Sequence, residues 1–178
     1  MRHAPTSRRA TRTVQAVLAL ALVGSTVALV AGAQRSTSSV SAATQVRHFA
    51  INVDDAGVAL HGHDPVSYFT DSKPQLGNAA FTATHEGATY RFASASHRDA
   101  FVAAPAKYIP QYGGYCAMGV TGGAKYDIDP SAWRIEDGKL FLNKNPSVQK
   151  SWLKDIPGNI TKADSKWPKI LGDTPKGR

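Results

Sequence analysis

The chain has one cysteine, Cys116, in the stretch Gly113-Gly114-Tyr115-Cys116-Ala117-Met118-Gly119. A thiolate is a nucleophile and a soft-metal ligand, so this residue is the first candidate for chemistry. The flanking glycines permit positive φ, and a tight turn there can present the thiol to a cleft. A helix starting after Gly114 would set the thiol at its positive end and favour the thiolate. A free cysteine also packs well as a small buried hydrophobe, and the pattern leaves both roles open.

Histidines supply the second set of candidates. His61 and His63 stand two apart, which on an extended strand puts both on one face, and Asp64 follows His63. His97 opens a helical stretch, His48 lies in an apolar-alternating run, and His85 sits at a turn and reads as exposed. Cys116, His97, His63 and His61, with Met118 as a soft partner, form a donor set suited to copper above other metals. No CxxC or HExxH spacing is present, so no zinc motif supports the set. Asp127 and Asp129, in YDIDP, are a third candidate for acid–base work or a hard cation, although Asp129 before Pro130 reads first as a turn residue. The absence of GxSxG, a P-loop and a dinucleotide fingerprint leaves no arrangement for hydrolytic or transferase catalysis.

These groups belong to an exported chain. Arg2, Arg8, Arg9 and Arg12 precede an uncharged run from Val14 to Ala33 that ends in Ala31-Gly32-Ala33. That is the order of a secretory signal over residues 1–33, with cleavage near Ala33 and a periplasmic or extracellular destination. The run approaches membrane-spanning length, and a retained N-terminal anchor is the second reading. Removing the four arginines leaves 17 basic against 13 acidic residues, a net charge of +4 rather than +8. The late lysines are interleaved with acids and read as a solvated face, not a nucleic-acid surface. An exported domain often carries disulfides, but one cysteine closes none within the chain.

The elements that must position these residues follow from pattern. Residues 34–46 are Ser/Thr/Ala-rich and read as a flexible leader. Arg47 to Val53 alternates as a strand would. Asp64-Pro65 caps a short helical turn with Tyr68 and Phe69 facing inward. Two hairpins are expected, around Glu86-Gly87 and Asp137-Gly138. Ser94 or Ser96 caps the helix that begins with His97, and Asn145-Pro146 caps another. A last helical piece runs from about Asn159 to Leu171, broken by Pro168. Trp133, Trp152 and Trp167 read as core anchors. No internal repeat is visible. The sum is a small single α+β domain over residues 47–171, followed by a tail over residues 172–178.

The runs GHDPVSYFTDSKP, ATYRFASASHRDAFVAAPAKYIPQYGGYCAMGV, KYDIDP and DGKLFLN resemble the exported YHS-domain proteins from about Ala56 to Leu171. The resemblance implies a YHS-like fold and a metal-binding history. Short YHS modules have three cysteines as ligands, and their positions fall on Ser67, Ala93 and His97 of this chain. Only His97 keeps a strong donor, and Cys116 is added by the longer exported branch. That branch is also described as including selenoproteins, which implies redox chemistry where selenocysteine takes this position. Three readings follow: a copper-binding module using Cys116 and the histidines; a thiol-redox protein with Cys116 as catalytic nucleophile and a small thiol or redox protein as partner; and a non-catalytic binding or scaffold domain in which Cys116 is buried.

Overall fold

A computed structural model of the chain describes residues 49–177; the signal segment, the leader and His48 lie outside the described residues. Two turns organise the fold. Glu86-Gly87 joins strand β1 (Asn78–His85) to β2 (Ala88–Phe92), and Asp137-Gly138 joins β3 (Asp129–Glu136) to β4 (Lys139–Asn143). Both residues of each turn have positive φ (49° and 85°, 49° and 70°), as a two-residue hairpin of right-handed twist requires. Each hairpin is its own two-stranded antiparallel sheet. Among the described residues, short helices pack on them: α1 (Ser67–Thr70), α2 (Ala95–Ala103), α3 (Pro105–Tyr108), α4 (Ala117–Thr121), α5 (Pro146–Trp152) and α6 (Ile156–Ile170). The protein is therefore a small α+β domain of two antiparallel hairpins packed with short helices.

The expected caps form. Ser94 Oγ accepts from the His97 amide at 3.2 Å, and Asn145 Oδ1 accepts from the Val148 amide at 2.9 Å. Both satisfy amides that the first helical turn leaves open.

Three expectations about the elements are corrected. Phe49 and Ala50 are helical, and among the described residues of the expected first strand only Val53 forms a β-bridge, to Ala59. The last helix runs through Pro168, which falls near its C-terminal end where a missing amide donor costs only one bond. The third correction is an internal repeat. A left-handed turn at Leu60-His61-Gly62 (φ 56°, 52°, 75°) recurs at Tyr112-Gly113-Gly114 (φ 55°, 60°, 77°). Each is followed by a short helix and then by a hairpin whose pairing slips at the same place. The register jumps from Asn78↔Phe92 to Thr82↔Arg91 in one and from Asp129↔Asn143 to Trp133↔Leu142 in the other. Each turn also ties to its hairpin by a parallel bridge, Val58↔Thr89 and Pro110↔Leu140. Each hairpin leads into a capped helix carrying one large buried aromatic, Phe101 or Trp152.

The core follows from this arrangement. One cluster gathers Val66, Tyr68, Tyr90, Phe92, Phe101, Leu140 and Leu142 with Cys116; a second gathers Tyr112, Val120, Phe141, Trp152 and Ala163 under α6. The tail is docked as well: the Lys176 amide donates to the Lys125 carbonyl at 2.8 Å. Lys125 is itself buried. Its ammonium donates to the carbonyls of Phe49 and Leu171 at 2.7 Å and of Asp173 at 3.1 Å.

Candidate functional site

The repeat places Asp64 and Cys116 at equivalent points. Each follows its left-handed turn and opens a short helix. Asp64 N donates to the Gln75 carbonyl at 2.8 Å, and Cys116 N donates to the Tyr126 carbonyl at 3.0 Å.

At the first point the carboxylate is fully buried. Asp64 Oδ1 accepts from the Val66 amide at 2.8 Å, and Oδ2 accepts from the Ala93 amide at 2.9 Å. His97 reaches the same Oδ2 with Nδ1 at 2.6 Å. A carboxylate accepts here, so His97 Nδ1 is the donor to Asp64 and Nε2 faces outward. The ring is 19% exposed, and Nε2 stands 3.9 Å from Asp71 Oδ2. That is too long for a hydrogen bond. The same Asp71 Oδ2 accepts from the Gln75 side-chain amide. Ser67 belongs to the same cluster, its hydroxyl donating to the Asp64 carbonyl at 2.8 Å and accepting from the Gln75 amide at 3.1 Å.

At the second point the thiol is 1% exposed. Cys116 Sγ accepts from the Gly119 amide at 3.4 Å and faces Asn143 Oδ1 at 3.9 Å. Asn143 Oδ1 also accepts from the Met118 amide at 3.2 Å. Burial pushes the Cys116 thiol up from its ordinary pKa, against a downward pull from the amides of Gly119, Lys144 and Met118. The turn and the helix start that the sequence predicts around Cys116 are present, but they point the sulfur into the core.

The other candidates lie elsewhere. His61 Nε2 is 2.8 Å from Asp127 Oδ1, which also accepts from Asn52 Nδ2 at 2.9 Å. Burial pushes the Asp127 carboxyl up, but these hydrogen bonds outweigh it and hold the group well below the usual carboxylate range. His63 Nδ1 donates to the Leu60 carbonyl at 3.2 Å. His85 is half-buried, edge-on to Phe101, rather than exposed. Asp129 accepts from the Ser131 amide and hydroxyl, the turn role its sequence suggests. Among the described residues, no three His, Cys, Asp or Glu side chains form a group able to hold a metal ion. Cys116 and Met118 thus meet at Asn143, His61 pairs with Asp127, His63 turns to the Leu60 carbonyl, and His97 pairs with Asp64 and faces Asp71. Sequence reading had Asp64 as a helix cap and as a neighbour of His63 rather than the partner of His97, and missed Asp71.

The fold and this site define a small hairpin-and-helix domain built around a buried carboxylate–histidine pair. Comparison with protein-family models, with curated proteins and with solved structures finds no match.

Proposed function

We infer that this is an exported, non-enzymatic YHS-like module that binds a divalent transition metal through His97. Asp71 is its second side-chain ligand, and Asp64 is the carboxylate that holds the histidine from behind. The observation that carries the reading is the Asp64–His97–Asp71 geometry. Histidine ligands characteristically donate their other ring N–H to a carboxylate, which fixes the tautomer and raises basicity. Two donors at about 2.1 Å from one ion can be at most about 4.2 Å apart. The His97–Asp71 spacing of 3.9 Å falls within that limit.

The resemblance to YHS modules supports the same place. The three positions that carry cysteines in the short modules are Ser67, Ala93 and His97, and each is hydrogen-bonded to Asp64. The locus is retained while its chemistry has changed from thiolates to nitrogen and oxygen. Such donors suit copper(II) and its divalent neighbours more than copper(I), with copper(II) held tightest for a given site. Two protein ligands leave positions open to water or a metal donor, which fits an exchangeable carrier better than a structural ion.

Calorimetric titration of the metal-free domain with copper(II) tests this. One equivalent should bind, His97→Ala should abolish it, and Asp71→Asn should weaken it by about 10–100-fold. Unchanged binding in His97→Ala contradicts the reading.

A further inference from the structure

The lysines of this chain are segregated. Residues 139–178 hold nine basic residues against Asp155, Asp164 and Asp173, whereas residues 34–138 hold eight against ten acids. On α6, Lys162, Lys166 and Lys169 recur at i, i+4 and i+7 and are all exposed, so they form one stripe. The same helix buries Asn159, Ala163 and Ile170 on its adjoining face.

Two of the three acids near the stripe are committed elsewhere, and the third, Asp173, acts on the buried Lys125. Asp164 accepts from the Tyr112 hydroxyl at 2.9 Å, and Asp155 caps the helix through the Gly158 amide at 3.0 Å. Among the described residues every ion pair involves a histidine or an arginine, and no lysine has a carboxylate within 4.0 Å. The interleaving of Lys with Asp in the sequence therefore does not neutralise this face.

We propose that the α6 stripe docks the domain on an anionic phospholipid surface. Charge complementarity selects an anionic partner, and two features select a membrane. The uncharged run ending at Ala33 delivers the chain to a bilayer, and residues 34–48 can hold the domain within about 50 Å of it for as long as that run stays inserted. Trp167 and Leu171, partly exposed on and just beyond the same helix, add the amphipathic edge that interfacial helices carry. Each lysine beside an anionic leaflet contributes about fivefold in affinity, so three contribute about a hundredfold.

The test uses residues 34–178, whose described part carries its own hydrophobic core. They are sedimented with vesicles of phosphatidylglycerol and phosphatidylcholine in equal parts, and with pure phosphatidylcholine. Binding to the anionic vesicles alone is expected, weakening with salt. Combined Lys162→Gln, Lys166→Gln and Lys169→Gln should lower it by about a hundredfold, whereas Lys73→Gln, Lys107→Gln and Lys139→Gln together should lower it by less than about tenfold. All six side chains are exposed, so thermal melts should show both variants folded. Equal losses in the two triple variants overturn the proposal, as does equal binding to neutral vesicles. Retention on an immobilised acidic polymer without vesicle binding overturns it in favour of a polyanion.

Discussion

The two halves of the molecule use the same backbone to hold different chemistry. In the first, the residue after the left-handed turn is Asp64, and its buried carboxylate reaches out to a histidine that touches solvent. In the second, the equivalent residue is Cys116, whose thiol ends on Asn143 inside the core. The counterpart of the amide that serves Asp64, at Ala93, is the Lys144 amide, which pulls on the Cys116 sulfur. One locus is an outlet for a side chain; the other is sealed. The residue that looks most reactive in the sequence sits in the sealed half.

Substitutions at matched positions sharpen this contrast. The largest effect is expected at the turns themselves. A Cβ on Gly113 would lie 1.9 Å from the Ala50 carbonyl oxygen at a φ of 60°. Gly113→Ala should therefore cost more than about 3 kcal/mol in urea unfolding or prevent folding. His61, at the matching place, already carries a side chain at a φ of 52°, and His61→Gly should shift stability by less than about 1 kcal/mol.

Next come the two cap residues. Asp64→Ala strands the Val66 and Ala93 amides and the His97 ring N–H, and should cost about 3–5 kcal/mol. Cys116→Ala removes one weak acceptor and a small volume, and should cost about 1–2 kcal/mol. Equal costs would mean that the two loci are not the different structures described above.

On the alkaline limb the second half contributes through Lys125. Desolvation pulls the Lys125 ammonium down from 10.5 to about 8, partly opposed by Asp173. Between those pH values the unfolded chain holds a proton that the folded one has released. Lys125 should therefore contribute a rise in stability with pH across that window, by on the order of 2 kcal/mol, which the raised Cys116 thiol and the raised Tyr68, Tyr90 and Tyr112 hydroxyls offset above about pH 9. Lys125→Met should flatten that rise. The smallest effect is at the exposed Asp127–His61 pair. Its depressed carboxyl contributes stability above the ordinary pKa of 3.8 that is lost as pH falls through the folded value. Exposure near 40% on both sides keeps this below about 1 kcal/mol, and His61→Ala should remove it from an acid titration.

The hairpins and caps were legible because short-range chemistry fixes them. Glu86-Gly87 and Asp137-Gly138 force the turns, and Ser94 and Asn145 offer oxygens to the helix amides that follow. The repeat was not legible because its halves share dihedral angles and hydrogen bonds rather than residue types. Leu60-His61-Gly62 has no visible likeness to Tyr112-Gly113-Gly114, nor Asp64 to Cys116. The candidate site was half legible. His97 stood out by type, but its partners lie 33 and 26 positions earlier in the chain, brought in by the first hairpin and α1. The entry segment misled because, among its described residues, the alternation ending at Val53 meets only one bridge partner, at Ala59.

The central claim is that the outlet at His97, not the thiol at Cys116, takes a metal. Nitrogen and carbon NMR of the labelled domain during addition of zinc(II), a diamagnetic stand-in for copper(II), addresses it most directly. The account predicts that the His97 Nε2 resonance moves while Nδ1 keeps its hydrogen-bonded proton and the Cys116 Cβ stays at its free-thiol position. Movement of the Cys116 Cβ with an unchanged His97 ring would contradict it.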